Sequence, residues 1–367
     1  MEPVNVGLIG CGDISGVYFC NAAQFKSFDI VACADMLPER AVASAEQYSI
    51  PKVCPTDELI ADPDIELVLN LTTPEGHAPV GIAALDAGKS VYTEKPLAVS
   101  REDGMRMLER AREKSVLLGA APDTFLGAGL QTGRKLIDDG WIGEPVSATA
   151  FMQCHGHEHW HPNPGFYYQP GGGPLFDMGP YYLSALVSLI GPVTRVAAMT
   201  RTAFPERLIT SEARFGEIIQ VNTATHVAGI LEFAGGAIAT LVMSFDVWGH
   251  HLPSIEIHGT EGSLSVPDPN GFGGVVEVCR PRTREWETVP LTHQYAENAR
   301  GLGVADMACA LRSGRRHRAN EALAYHVLDV MHAFEDSKHS GAQIHIESSC
   351  ERPAPMPMNP RPGGLDV

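Results

Sequence analysis

The sequence predicts a doubly wound α/β domain followed by an α+β domain, and three observations carry that reading. The first third alternates near-continuous apolar runs with helical patterns, as parallel strands covered on both faces require. A glycine-bearing turn, Gly10-Cys11-Gly12, joins the first apolar run to the first helical one. From Thr225 on, the pattern changes to longer alternating runs broken by a Gly pair, the habit of antiparallel strands.

The elements follow in order. "VNVGLIG" from Val4 is a buried parallel strand, and a helix is expected over 14–25. "DIVACAD" is the second strand, ending on Asp35, and "MLPERAVASAEQY" the second helix, with Pro38 near its start. "IELVLNLTTP" reads as a buried strand ending at Pro74, "HAPVGIAALDAG" as a helix stopped at Gly88, and "KSVYTEK" as a strand. The helix "REDGMRMLERAREK" and the strand "SVLLGA" complete the unit, which Pro122 interrupts. Beyond it come the helix "GLQTGRKLIDDG", a hairpin in "LEFAGGAIATLV", strands in "SIEIHGTEGSLSVP" and "GGVVEVCR", and helices over 297–313 and 320–338. The expected domains are therefore 1–122, 123–350, and an extended Pro-rich tail over 351–367. No internal repeat is present.

The balance of residues narrows the function classes. Hydrophobic residues make up 44% and charged residues 19%, ordinary for a globular chain, and the formal charge is −17. Such a charge disfavours phosphate backbones and anionic membranes as partners, so neither nucleic acid nor membrane is expected. The basic run "RSGRRHR" (312–318) is read as a helix C-terminal cap. Eight scattered cysteines without a Cys-x-x-Cys pair read as reduced thiols, and no basic, apolar leader precedes the first strand; a cytoplasmic protein is expected.

The Gly-rich turn predicts a dinucleotide site. Gly10 allows the tight turn, Gly12 lets backbone approach a pyrophosphate, and the following helix N-terminus offers N–H groups. Ser15 takes the third position of the pattern. Asp35 ends the next strand at the spacing where a carboxylate holds the adenosine ribose hydroxyls and repels a 2′-phosphate. NAD is expected over NADP, although Arg40 lies where a phosphate could be accommodated.

Two further segments bear on chemistry. Glu94-Lys95-Pro96 ends an apolar strand with an acid, a base and a proline. "PGGGPLFDMGPYYLSAL" (170–186) spaces Asp177 and Tyr181 four apart, one face of a helix, with Tyr182 as a neighbouring distractor. Either segment alone admits a plain reading: a solvated strand exit, or a glycine loop with a capping Asp.

Together, behind the nucleotide turn, these residues resemble the glucose–fructose oxidoreductase, inositol dehydrogenase and rhizopine catabolism (Gfo/Idh/MocA) family of sugar oxidoreductases. The resemblance spans nearly the whole chain, through "TTP" with His77, "EKP", "GGGPLFDMG", "HGTEG" and "GRRHRANEALAYHVLDVM". It implies a Rossmann domain plus an α+β domain with a large, mostly antiparallel open sheet, through which a homodimer or homotetramer would form. The implied catalytic residues are Lys95, Asp177 and Tyr181; many members carry histidine at the last position and some carry tyrosine. The implied cofactor contacts are Gly10, Gly12, Asp13, Ile14 and Asp35, with Thr73, Pro74, His77, Glu94 and Lys95. A cis bond before Pro96 is implied as well.

The expected reaction moves a hydride between a secondary alcohol of a sugar, glycoside or inositol and a nicotinamide. Tyr181 would take the hydroxyl proton, aided by the Lys95 ammonium; Asp177 would hold a neighbouring hydroxyl, and Glu94 would position Lys95. An NAD-dependent glycosidase of the same fold, or an NAD-binding sensor without catalysis, are the alternatives. His155, His157, His159 and His161 alternate in "HGHEHWHPNPG", so on a strand they would share one face. His157, His159 and Trp160 are expected to line the substrate pocket, with a solvated loop or a metal site as other readings; no metal is expected. Asp246, Trp248 and two histidines in "SFDVWGHH" form a second candidate edge.

Overall fold

The computed structural model describes residues 2–358 and 365. The described chain divides into two compact units: Met1–Gly127 with His293–Leu328 and Pro353–Val367, and Ala128–Thr292 with Asp329–Arg352. Both units are discontinuous in sequence. Local periodicity marks where elements lie; it does not say against which sheet a later helix settles.

The first unit opens with β1 (Val4–Ile9), α1 (Ser15–Ala22), β2 (Phe28–Ala34), α2 (Pro38–Tyr48), β3 (Lys52–Val53) and α3 (Thr56–Ala61). It continues through β4 (Leu67–Asn70), α4 (Pro74–Asp86), β5 (Ser90–Thr93), α5 (Arg101–Lys114) and β6 (Leu118–Ala120). The six strands are parallel in the order β3-β2-β1-β4-β5-β6, the doubly wound order whose switch point falls between β1 and β4. Every residue of β4 and β5 is buried, so these short runs show no alternation. Pro74 starts α4 as its first residue, where the missing N–H costs nothing, instead of ending a strand. The expected strand "KSVYTEK" stops at Thr93, and β3 and α3 had no periodic signal long enough to be read.

The second unit starts with α6 (Ala128–Asp138), β7 (Pro145–Gln153), α7 (Gly173–Ile190) and β8 (Val193–Arg201). A two-stranded ribbon, β9 (Glu206–Leu208) and β10 (Ile218–Gln220), precedes β11 (His226–Phe233) and β12 (Ile238–Ser244). Then come β13 (Ile255–Gly259), β14 (Ser263–Val266), β15 (Val276–Cys279) and β16 (Trp286–Val289). Gly235-Gly236 turns β11 into β12, with Gly236 at φ 86°, as the sequence predicts. In β11, Val227, Leu231 and Phe233 are buried while Ile230 between them is 54% exposed, so the strand has one core face and one outer face.

The chain then adds α8 (Leu302–Ser313), α9 (Glu321–Ser340) and β17 (Ile344–His345). The larger sheet has nine strands in the order β16-β15-β14-β13-β7-β12-β11-β8-β17, open at both ends. All its pairs are antiparallel except β7 with β12. Helices α6 and α7 lie against it. The stretch expected as an extended tail is packed where it is described: Met356 is 4% exposed, and the Arg318 guanidinium donates to the carbonyls of Ala354 and Pro355. Residues 359–364 and 366–367 of that tail lie outside the described residues.

The basic run does not act mainly as a helix cap. Arg312 is held by both oxygens of Glu66, and Arg315 and Arg318 converge on the buried Asp306. Among the described residues all eight cysteines are free, and no helix is long and apolar enough to cross a membrane.

One buried carboxylate ties α8 to the Rossmann unit. Asp123, 1% exposed, accepts the N–H groups of Gly301 and Gly303 at the start of α8 (2.9 and 3.0 Å). Burial pushes its carboxyl up to about 6, outweighing these two bonds, which pull the other way. An acid raised in the folded state binds more protons folded than unfolded. Its contribution is therefore complete below the ordinary pKa, about 3.9, and is lost as pH rises through about 6. Asp123→Asn keeps an oxygen for both N–H groups and carries no charge. Relative to the wild type, its stability in urea should rise between pH 4 and 6.5 by on the order of 3 kcal/mol. A flat difference across that window would refute the assignment.

Candidate active site

Three loops leave the carboxyl ends of adjacent strands in the first unit. The loop after β1 carries Gly10, Gly12, Asp13 and Ile14. Gly10 has φ 102°, and a Cβ there would stand 2.6 Å from the backbone of Leu71, so the turn and its close approach to the β4 exit both demand glycine. A Cβ on Gly12 would meet nothing within 4 Å. The protein's own packing thus does not require glycine at this position, and the open space is what an approaching pyrophosphate needs. No side chain caps α1, whose N-cap position is Ile14; Ser15 is buried, its hydroxyl turned onto the Gly12 carbonyl (2.6 Å). Asp13 and Ile14 are exposed.

Asp35 stands just beyond β2 and is pinned toward this loop. Its Oδ2 accepts the Cys11 N–H (2.7 Å) and its Oδ1 the Leu37 N–H (2.8 Å). The carboxylate is half-buried, with lone pairs left over for ribose hydroxyls. These residues fit a dinucleotide.

At the end of β4, Asn70 is fully buried and organises the crevice. Its Oδ1 accepts the Thr72 hydroxyl (2.7 Å) and its amide donates to the His77 carbonyl (3.0 Å). His77 is itself 1% exposed, with Nδ1 2.7 Å from the Pro96 carbonyl and Nε2 3.0 Å from the Thr72 carbonyl. It braces the β4 exit against the Glu94-Lys95-Pro96 loop from behind, and burial holds its imidazole below the ordinary value. Thr73 and Pro74 begin α4.

The third loop follows β5. Glu94 is 9% exposed and does not reach outward: Oε1 accepts the Tyr18 hydroxyl (2.8 Å) and Oε2 the Lys95 backbone N–H (2.9 Å). Burial, reinforced by Glu94, pushes the Tyr18 phenol well up, so Tyr18 stays a donor that fixes this carboxylate. Lys95 is half-buried, and the Lys95–Pro96 bond is cis.

In the second unit the glycines of 171–173 set the entry to α7. Gly173 has φ 78°, and a Cβ there would press within 2.7 Å of the Ala224 carbonyl. Asp177 and Tyr181 lie one turn apart on α7, and Tyr181 is 7% exposed. Tyr182 differs from its neighbour: its hydroxyl donates to Asp268 (3.4 Å), and burial pushes its phenol far up.

The histidine alternation does not place four rings on one face, because β7 ends at Gln153 and the chain turns through Gly156 at φ 79°. His155 stacks on Trp248 with ring centroids 3.4 Å apart. His157 Nε2 lies 3.2 Å from Asp177 Oδ2, both side chains being 13% exposed. His159 and Trp160 are exposed, and His161 Nδ1 accepts the Asn163 N–H (3.0 Å). Among the described residues no group of three or more His, Cys, Asp or Glu side chains could hold a metal ion.

Sequence reasoning missed a buried network beside this loop. Arg207 on β9, its side chain 4% exposed, donates to Glu158 (2.8 Å), to Asp246 (2.5 Å) and to the Phe245 carbonyl (2.8 Å). Tyr168 donates to the other oxygen of Glu158, and Thr225 to the other oxygen of Asp246 (2.7 Å). Asp246 thus serves this network instead of an open pocket edge. A sequence separation of 49 residues between Glu158 and Arg207 leaves no periodic trace.

Comparison with known proteins agrees with this geometry. Residues 4–121 match the model of the oxidoreductase family with an NAD-binding Rossmann fold, and residues 130–265 that of the GFO/IDH/MocA C-terminal domain. The 1,5-anhydro-D-fructose reductase of Ensifer adhaerens is 31% identical over 264 residues, 70% of this chain and 74% of that protein. Levoglucosan dehydrogenase of Pseudarthrobacter phenanthrenivorans is 28% identical over 291 residues, 72% and 73% of the two chains. In fold, a solved levoglucosan dehydrogenase in complex with NADH and L-sorbose matches with a TM-score of 0.81 at 24% identity, covering 95% of this chain and 100% of that one. An NAD binding oxidoreductase from Klebsiella pneumoniae matches at 0.83 and 23%, with the same coverage. The chain belongs to the Gfo/Idh/MocA family of oxidoreductases, with an NAD-binding Rossmann domain at its N-terminal end.

Proposed function

We propose that this protein transfers a hydride between a secondary alcohol of a sugar, glycoside or inositol and NAD, using Lys95, Asp177 and Tyr181 as the groups that handle the substrate. The observation that carries the reading is the pairing, on one parallel sheet, of open space at Gly12, where a Cβ would meet nothing within 4 Å, with a lysine just past the carboxyl end of β5. In open α/β sheets ligands bind outside those strand ends, at the switch point. The names of the relatives, reductase of 1,5-anhydro-D-fructose, levoglucosan dehydrogenase and inositol 2-dehydrogenase, support a carbohydrate or cyclic polyol.

When bound, the nicotinamide supplies the hydride acceptor. Gly10, Gly12, Asp13 and Ile14 would receive the pyrophosphate, and Asp35 the ribose; Thr73 and Pro74 would shape the crevice that His77 braces. The Lys95 ammonium would hold the reacting hydroxyl and stabilise alkoxide character as the proton leaves. Asp177 and Tyr181 would fix its orientation. Homodimer or homotetramer formation through the outer face of the nine-stranded sheet, where Met199, Ile230 and Ile238 are exposed, is part of the same proposal.

Incubation with NAD and a panel of cyclic polyols and glycosides tests the reaction: NADH absorbance supports it, whereas released aglycone without NADH assigns a glycosidase. Cofactor choice follows from Asp35. Asp35→Ser removes the charge facing a 2′-phosphate, while a hydroxyl remains for the Leu37 N–H. The ratio of kcat/KM for NADP to that for NAD should rise about tenfold or more, the equivalent of roughly 1.4 kcal/mol. An unchanged ratio would mean that another group discriminates.

A further inference from the structure

We propose that His157 is the proton acceptor of the reaction, taking the substrate hydroxyl proton on Nδ1 while Asp177 holds its Nε2–H. The inference rests on the dehydrogenase reading above and assigns the proton path within it.

The tautomer follows from the pairing. An ionised carboxylate only accepts, so the His157 nitrogen 3.2 Å from Asp177 Oδ2 carries the hydrogen. In the neutral ring the lone pair then sits on Nδ1. That atom makes no hydrogen bond to any described residue and the side chain keeps 13% exposure; the proposal gives this lone pair to the substrate hydroxyl. The ring is held as a base should be. Tyr167 (ring centroids 4.4 Å apart), Phe245 (4.7 Å) and Trp160 (5.4 Å) surround it, and its own backbone N–H donates to the Tyr168 hydroxyl (3.3 Å).

The titratable groups facing His157 are Asp177 from α7 and Tyr167 and Tyr168 from the turn Pro164–Tyr168. Glu158 stands next in the chain, its carboxylate occupied by Arg207 and Tyr168. Burial pushes the Tyr168 phenol far up, so it does not compete. The His157 ring is held by Asp177 on one nitrogen and by three neighbouring rings, and Tyr181 is left to orient the hydroxyl.

The step balances. The O–H proton would pass to His157 Nδ1, the carbinol hydrogen would leave as hydride with the C–H electron pair for the oxidised nicotinamide, and the electron pair of the broken O–H bond would form the carbon–oxygen double bond. The alcohol is oxidised and NAD reduced; Asp177 compensates the imidazolium charge, and the proton later passes to solvent.

Nitrogen-15 NMR of histidine-labelled protein reads the tautomer without turnover. The His157 signals, assigned by their loss in His157→Gln, should show protonated Nε2 and bare Nδ1, and Asp177→Asn should mix the two forms. In the active enzyme, His157→Gln should lower kcat about 100-fold or more, the usual scale for a general base, and remove the acidic limb of kcat. His157→Ala should regain rate with added imidazole, and NADH fluorescence should show that both variants still bind cofactor. A protonated Nδ1, or a His157→Gln enzyme with wild-type kcat and pH profile, overturns the proposal while leaving the dehydrogenase intact. Tyr181→Phe matching the loss of His157→Gln, with no imidazole rescue, would return the role to Tyr181. If the wild type oxidises no polyol with NAD, the dehydrogenase reading fails, and the proton path falls with it.

Discussion

Lys95→Met should cut kcat by about 1000-fold while NADH binding stays within a few-fold of the wild type. The side chain is replaced by one of similar reach that stays apolar, so what is removed is charge and hydrogen bonding. Loss of a single preorganised donor to a developing oxyanion costs about 100- to 1000-fold, and a cationic donor stands at the upper end of that range. The backbone of the loop is anchored by other groups. What anchors this loop is the Lys95 backbone N–H on Glu94, the Tyr18 hydroxyl on the same carboxylate, and His77 on the Pro96 carbonyl, and none of these involves the ammonium. The two measurements separate the outcomes. Fluorescence titration with NADH reports the Gly10–Gly12 loop and Asp35, and single-turnover absorbance reports the chemistry. Near wild-type turnover with cofactor bound would remove Lys95 from the mechanism. Loss of both would make the lysine a structural support of the crevice.

What the sequence made legible follows from where its physical signals are local. The turn after β1, the acid after β2 and the glycines before α7 all meet backbone demands within a few residues, so composition and spacing reveal them. Parallel strands buried on both faces and the β11–β12 hairpin are legible for the same reason. The histidine string shows where this stops. Alternation implies a shared face only while the backbone is extended, and the extension ends at Gln153, before the first histidine. His155, His157, His159 and His161 therefore have four different environments. His157 meets Asp177, across 20 residues of chain that include the glycine turn. Likewise, the contact of Asp123 with the start of α8 spans about 180 residues, and no periodicity carries information over such a distance.

In the second unit, Arg207 is likewise held by partners far apart in sequence. Its guanidinium lies between two carboxylates that are each 9% exposed, Glu158 and Asp246, and stands over the rings of Phe204 (4.7 Å) and Tyr168 (5.5 Å). A buried pair of this kind contributes little net stability when complete, because desolvation offsets the attraction; removing one partner leaves uncompensated charge. Arg207→Met keeps the apolar stem and strands both acids, so the second unit should lose about 3–5 kcal/mol in chemical denaturation. The cost comes from the orphaned charges, which the triple variant Arg207→Met, Glu158→Gln, Asp246→Asn isolates. With both acids neutral it should recover most of the loss, because an amide can still take the Tyr168 and Thr225 hydroxyl bonds. If the triple variant is as unstable as the single one, ring stacking and the bond to the Phe245 carbonyl dominate instead. The network also bears on the chemistry through the backbone. The Glu158 carbonyl accepts the N–H groups of Thr210 and Ser211 (both 2.9 Å), so Glu158 is held from both its side chain and its main chain. His157 precedes it directly. Loosening Glu158 in the Arg207→Met variant should therefore blur the His157–Asp177 pairing before the sheet itself melts, and histidine NMR at a temperature below the unfolding transition would show it.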